Sequence, residues 1–301
     1  MVWIFASLGT AIIFTIANII DSHVISKKMP SLVSFLLTIG IAQLLLGSVL
    51  FGVFSFPQNP GVMHILAAVG GGLLNAATLL IMLNSFQKGE VSRVVPVVCS
   101  SPIFVALLSM PLLREMLNFW EWLAIFLTVA GAILISLQRD EGAAKTRLQK
   151  SFFLLLLAAL MAALSSIGYK YALEKLSFWN MVSINAICVA VVTLPLSLRK
   201  STLRELKNLK QRTQILGLIF SNQIIAAVGA ALGFVAFASG PVALVSTIMN
   251  IRPAFVFLFS LVISRFFPNF INEKLNRSTI IIKVIGIALI TIGVAIISLY
   301  S

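Results

Sequence analysis

The sequence is poor in charged residues, in cysteine and in histidine. Only 10% of its 301 residues are charged, against about 25% in ordinary soluble domains. Its two cysteines, Cys99 and Cys188, both lie inside apolar stretches, so neither a disulfide framework nor a metal-binding pair is indicated. The two histidines are far apart, and no glycine-rich phosphate loop is present. These shortages argue against a soluble enzyme, a disordered tail and a secreted disulfide scaffold, and no catalytic residue, metal or cofactor is predicted.

Apolar residues are abundant instead, at 59% of the chain with a mean hydropathy of +1.06. A helix needs about 20 apolar residues to cross a bilayer. The chain therefore reads as an all-α integral membrane protein, and its first hydrophobic run, which no basic residue precedes, is expected to stay as a membrane helix. Ten spans are predicted, at about 3–22, 31–54, 62–86, 91–113, 118–137, 152–172, 178–198, 213–238, 241–265 and 279–300.

The net charge of +13 comes from Lys and Arg in the short connectors between spans, which is typical of a multi-pass membrane protein and not of a nucleic-acid-binding one. Most of these residues follow the odd-numbered spans, including the two longer loops at 138–150 and 199–212. The positive-inside rule then predicts cytoplasmic loops at those positions and both termini outside, in the cell membrane.

The chain contains an internal repeat. Gly89 and Pro102 recur, at the same spacing, as Gly240 and Pro253, and GAILISL near residue 137 recurs as GVAIISL near residue 299. The repeat divides the chain into 1–137, a connecting loop at 138–150, and 151–301. Because each half has five helices, an odd number, the second copy must be inverted in the membrane. Inverted repeats are the usual architecture of secondary transporters, which bind substrate near the bilayer midplane.

The stretch GEVSRVVPVVCSSPIFVALLSMPLLRE, followed by a helix ending in AGAILISL, resembles the EamA-type repeat of the drug/metabolite transporter superfamily. The second half repeats the pattern in GPVALVSTIMNIRPAFVFLFSLVI, with Glu273 after it. The resemblance implies ten helices in two inverted five-helix halves around a central cavity, alternating access, and export. Two departures stand out. The segment FFPNFIN lengthens the connector before Glu273, and many relatives are thought to keep both termini in the cytoplasm.

Arg252 is the strongest single functional signal, because a cation near the middle of a span costs several kcal/mol. Pro253 follows it and donates no backbone hydrogen bond, so the helix is expected to open locally. In one interpretation Arg252 binds a carboxylate or phosphate of the substrate. In the other it is a structural strut, paired with Asp21 or with the freed carbonyls.

Further polar residues inside the spans complete the predicted site. Asn18 and Asp21 share a face of the first helix, Asp21 being the candidate coupling residue unless it is simply a solvated carboxylate at the helix end. The other predicted substrate contacts are Tyr169, Asn75, Gln223 and Asn250. Gln43 and Asn185 are set aside, because the resemblance implies that the second helix of each half lies further from the cavity.

The predicted function is secondary transport of a small polar metabolite that is amino-acid-like or bears an anionic group, with export as the direction that the resemblance implies. The predicted partners are this small molecule and membrane lipid, without nucleic acid, in a monomer or homodimer. Two alternatives stay open: a flippase for a phosphate-bearing lipid, and a non-transporting membrane scaffold. Neither the substrate nor the coupling ion follows from the sequence.

Overall fold

The structure, a computed structural model, describes residues 1–87, 98–136, 148–266 and 277–300, and the elements within these ranges are all helices. Gly89, most of the connecting loop and Glu273 lie outside the described residues. The helices are α1 (Val2–Lys27), α2 (Leu32–Val53), α3 (Val62–Gln87), α4 (Ser101–Leu113), α5 (Phe119–Ser136), α6 (Leu148–Ala172), α7 (Phe178–Ser197), α8 (Lys200–Lys207), α9 (Arg212–Ser239), α10 (Val242–Met249), α11 (Arg252–Phe266) and α12 (Arg277–Tyr300).

Eight segments of the described residues are long and apolar enough to cross a membrane, and α4 and α5 are shorter apolar helices. The sequence pattern therefore located the apolar segments, while the count of ten spans is not established by helix length alone. Two details differ from the expectation. The span predicted at 241–265 is divided into α10 and α11, and the loop predicted at 199–212 contains the short helix α8.

Equivalent helices of the two halves cross each other in antiparallel directions. Between α5 and α12, a Cβ added to Gly131 would lie 2.5 Å from the carbonyl oxygen of Gly286, and one added to Gly293 would lie 2.9 Å from that of Ala124. Residue numbers thus rise along one helix as they fall along the other. Glycine lets these two backbones touch, which is how helices commonly associate in lipid.

The second helices of the two halves, α2 and α7, pair in the same way. Ser183 donates a 2.7 Å hydrogen bond to the carbonyl oxygen of Gly47, and a Cβ added to Gly40 would meet Thr193. This crossing is also antiparallel, as an inverted repeat requires. Serine caps begin both helices: Ser31 accepts from the N–H of Ser34, and Ser177 forms a capping box with Asn180.

The first helix of each half packs on the third helix of the other half: α1 packs on α9, and α6 packs on α3. Thr10 of α1 donates to the carbonyl oxygen of Gly229, and Ser165 of α6 donates to that of Gly71. The bundle is therefore held together mainly by contacts between its halves. Polar residues at these crossings lie where the halves meet.

Candidate substrate site

In the second half, a short break separates the helices α10 and α11, while the main chain continues through residues 250 and 251. The last turn of α10 tightens, with the N–H of Ile251 bonded to the carbonyl oxygen of Ile248 at 3.2 Å. The carbonyl oxygen of Ser246 accepts both the backbone N–H of Asn250, at 3.0 Å, and its side-chain amide, at 2.8 Å. Pro253 then occupies the second position of α11, where its missing N–H costs nothing. The side chain of Asn250 is thus bonded to the end of α10.

Arg252 is the first residue of α11, at this break. Its guanidinium carbon lies 4.5 Å from the centre of the Phe14 ring of α1, a cation–π contact. Its Nε is buried without a hydrogen-bond partner, and the Oγ of Ser246, one turn before the break, is buried without one as well. Among the residues that the structure describes, no carboxylate lies within ion-pair distance of Arg252. A half-buried guanidinium whose Nε has no acceptor, and with which no described carboxylate pairs, is the most unusual electrostatic feature of the site.

Asp21 does not pair with Arg252. The structure therefore contradicts the interpretation in which an ion pair between these two residues serves as a structural strut. Instead Asn222 of α9 donates to the carboxylate of Asp21 at 2.7 Å and to the carbonyl oxygen of Ala17 at 3.0 Å. Asn18 lies on the same face of α1, between Phe14 and Asp21 in sequence, and is exposed. This face of α1 consequently carries the contact with Arg252 and, two turns away, the contact with Asn222.

A second polar cluster joins three helices. The phenol of Tyr169 donates to the side-chain oxygen of Asn185 at 2.6 Å, and the amide of Asn75 donates to the same oxygen at 3.2 Å. The ring of Phe234 packs edge-on against Tyr169 with a centroid distance of 5.0 Å. The sequence analysis set Asn185 aside, and the structure shows that α7 brings it into contact with Tyr169 and Asn75.

Gln43 was set aside for the same reason and is also brought to a predicted residue. Its amide donates to the side-chain oxygen of Gln223 at 2.7 Å, linking α2 to α9. The signal that could have found both partners is general: an amide in hydrocarbon needs a hydrogen-bond partner, so isolated midspan amides tend to occur in pairs. Phe14 carried no such signal, since an aromatic residue in a membrane helix is unremarkable by itself.

Helix α9 shows how these groups are arranged in depth. A Cβ added to Gly229 would lie 3.7 Å from Phe14, and Phe234 contacts Tyr169. These two positions of α9 are about 7.5 Å apart along the axis at 1.5 Å per residue. Asn222, which holds Asp21, lies about 10 Å from Gly229 in the other direction. Along α9, the contact with Phe14, on which Arg252 packs, therefore lies between the Tyr169 cluster on one side and Asp21 on the other.

At the opposite end of the bundle, one charged residue from each half contacts the segment from Gly240 to Val242. The carboxylate of Glu115 accepts from the N–H of Val242 at 3.0 and 3.1 Å, and the ammonium of Lys170 donates to the carbonyl oxygen of Gly240 at 2.8 Å. Burial raises the pKa of Glu115, while the N–H of Val242 and the charge of Lys170 partly oppose that rise. Glu115 thus caps α10 from the other half of the molecule.

Comparisons with known proteins agree with this two-repeat arrangement. The model of the EamA-like transporter family matches residues 1–137 and 149–299. A solved crystal structure superposes with a TM-score of 0.65 over 99% of this chain and 95% of its own, at 15% sequence identity, which supports the fold alone. The search of curated proteins gave no match. Within the described residues, no cluster of His, Cys, Asp and Glu could hold a metal ion.

Proposed function

Because the chain belongs to the EamA-like transporter family, we propose that it is a secondary transporter that exports a small polar metabolite bearing an anionic group. The family makes it a membrane transporter, and the site residues supply the chemistry of the substrate. Export is part of the proposal on the strength of the family resemblance. The proposal also includes ten spans around a central cavity and placement in the cell membrane. It places both termini outside on the strength of the basic residues in the loops, although many relatives are thought to keep them in the cytoplasm.

Arg252 is the observation that carries the proposal. A guanidinium presents several N–H donors in a planar fork that matches a carboxylate or a phosphate. Here one face of that fork packs on Phe14, and its buried Nε has no acceptor among the residues that the structure describes. A buried cation of this kind needs a compensating anion, and an anionic group of the substrate would provide it.

The Tyr169 cluster supports a polar rather than an apolar substrate body. The oxygen of Asn185 is occupied by two donors, which leaves the amide hydrogens of Asn185 and the oxygen of Asn75 to bind a ligand. The cluster lies about 7.5 Å along α9 from the level of Phe14, on which Arg252 packs, and its three members are uncharged. We therefore propose that Arg252 binds the anionic group, while Asn75, Asn185 and Tyr169 position the neutral polar part.

Alternating access fits the contacts at the two ends of the bundle. In this structure Glu115 of the first half accepts from the N–H of Val242 in the second half, while Lys170 donates to the carbonyl oxygen of Gly240 within the second half. In the proposed cycle the contact between Glu115 and Val242 breaks when that end opens, and the halves rock about the crossings of α2 with α7 and α5 with α12. Asp21, near the other end, is then the residue proposed to take part in ion coupling.

The test is a transport screen with the purified protein in liposomes. Pools of anionic, zwitterionic, neutral and cationic metabolites would be enclosed, and their efflux measured by mass spectrometry with and without a pH gradient. We expect selective efflux of anion-bearing compounds by the unmodified protein and by Ser101→Ala, which changes the equivalent position of the first half. We expect none from Arg252→Leu. Equal efflux of anionic compounds through Arg252→Leu would contradict the proposal.

The same liposomes distinguish the flippase alternative. A phospholipid labelled on its headgroup would change leaflet only if the protein translocates lipid. Lipid translocation that depends on Arg252, without efflux of any soluble anion, would replace the metabolite by a lipid phosphate. An intact fold with neither activity would favour a non-transporting scaffold.

A further inference from the structure

The short helix α8 has two faces of different character. Thr202 and Leu206 are buried against the bundle, with 2% and 8% of their surface exposed. Turned away from them, at helical spacing, lie Lys200, Arg204 and Lys207, all exposed. Leu203 shares this outer face and is 46% exposed. The outer face thus combines three cations with one apolar side chain.

The single acidic residue of α8 does not neutralise that face. Glu205 points toward α2, where its carboxylate accepts from Ser31 at 2.6 Å and also from Ser34. These hydrogen bonds lower the pKa of Glu205, so it stays ionised. Because Ser31 is the N-cap of α2, the contact ties a helix of the second half to the start of a helix in the first half. The orientation of α8 on the bundle is therefore fixed.

The position of α8 along the chain places it beside the membrane surface. α7 ends at Ser197 and α9 begins at Arg212, and both are candidate spans. The three-residue step from Ser197 to Lys200 covers at most about 11 Å. An eight-residue helix held between two span ends in this way cannot move far from the polar headgroups.

We propose that the outer face of α8 is a binding surface for the anionic lipid headgroups of the adjacent leaflet, the one at which α7 ends and α9 begins. Lys200, Arg204 and Lys207 bind the headgroup phosphates, and Leu203 inserts its side chain at the edge of the acyl region. Basic residues near an anionic leaflet are attracted to it individually, and several on one face add together. The long basic side chains can reach the phosphates while Leu203 is buried. This inference does not depend on the identity of the transported substrate.

The first experiment compares lipid stabilisation of matched variants. The full chain would be placed in nanodiscs of phosphatidylcholine alone or with phosphatidylglycerol, and its melting temperature measured at low and high salt. The test variant carries Lys200→Gln, Arg204→Gln and Lys207→Gln. The control removes the same charge from exposed residues of the same side, with Lys28→Gln, Lys210→Gln and Arg212→Gln.

We expect phosphatidylglycerol to raise the melting temperature of the unmodified protein and of the control, with a smaller rise at high salt. The test variant should lose most of the rise. Equal losses in the test and control variants would overturn the proposal, because the attraction would then come from diffuse charge and not from this face.

A second measurement does not need the triple variant to fold. Leu203→Cys, labelled with a fluorophore, would be examined in nanodiscs that contain lipid with a nitroxide near its headgroup. The proposal predicts strong quenching that increases with phosphatidylglycerol. Quenching only by a water-soluble agent, or protection by an acidic polypeptide in place of lipid, would show that the face binds a partner in the aqueous phase and would refute it.

Discussion

The two halves contain equivalent helix breaks, and only one of them carries a charge. The N–H of Ala254 bonds to the carbonyl oxygen of Ile251 at 2.9 Å, and the N–H of Ile103 bonds to that of Ser100 at 3.0 Å. Proline occupies the second position of the helix that follows in both halves. The first helical residue, however, is Ser101 in one half and Arg252 in the other.

The comparison separates what the repeat needs from what the substrate needs. A break and its proline occur in both halves, so they belong to the architecture of the fold. The arginine occurs once, on one side of the pseudo-symmetric bundle, and its burial is costly. A shared backbone with an unshared cation is the arrangement that the proposed binding of an anionic ligand by Arg252 requires. The predictions below alter each part of this difference in turn.

The largest effect is expected from Arg252→Leu. It should reduce the affinity for the transported anion by at least about 100-fold, because the anionic group of the bound ligand would lose its cationic partner. Measured by anion-induced thermal shift, the variant should not respond to ligand. Ser101→Leu supplies a leucine at the equivalent position; retention of the shift in that variant, if it folds, would assign the effect to the charge of Arg252 and not to the added side chain.

Arg252→Lys should have the next largest effect. It keeps the charge but replaces the planar fork by a single ammonium group, which loses a bidentate contact worth about 1.5 kcal/mol or more, roughly tenfold in affinity. The Michaelis constant for efflux is the quantity to measure. A lysine variant with unchanged affinity would show that only charge matters, and that the geometry of the fork does not.

Proline substitutions should have a smaller effect, similar in the two halves. Pro102→Ala and Pro253→Ala restore an N–H and remove the ring that favours the break, so each helix can extend through it. We expect transport to fall a few-fold in both variants, with ligand affinity nearly unchanged. A loss confined to Pro253→Ala would mean that the first break has no part in the motion, and the symmetry would be only structural.

Ser101→Ala should have the smallest effect. The side chain of Ser101 is buried, and alanine preserves most of its volume. Both transport and melting temperature should stay close to those of the unmodified protein. A large loss of transport with an intact melting temperature would show that the first break also binds substrate.

Composition and the repeat were sufficient to predict the helical membrane fold and its family, because twenty-residue apolar runs and a recurring Gly-to-Pro spacing are properties of the chain itself. The division between α10 and α11 was foreseen only as a local opening at Pro253. The helix α8 was not foreseen, since eight mostly polar residues give no span signal. Thr202 and Leu206 lie on a different face from Lys200 and Arg204, each pair at a spacing of four. This division identifies a buried and an exposed face only once α2 is known to lie beside α8.

The sequence identified polar residues inside the spans one by one, but it did not predict which of them contact each other. Arg252 was identified because a midspan cation is costly wherever it lies, which requires no knowledge of its neighbours. Its pairing with Asp21 was a reasonable guess from charge alone, but Asn222 takes the carboxylate. Which amide meets which depends on how α2, α7 and α9 cross, and the spacing within one helix does not contain that information.

The most direct test of the account is the melting temperature of Arg252→Leu in the absence of ligand, measured beside the unmodified protein. If the charge of Arg252 is compensated only when an anionic substrate is bound, its removal should leave the melting temperature of the ligand-free protein equal to or higher than that of the unmodified protein. The unmodified protein should then gain stability when an anionic substrate is added, and the variant should not. A leucine variant that melts well below the unmodified protein, yet still gains stability from the same anion, would contradict the claim that Arg252 binds the substrate.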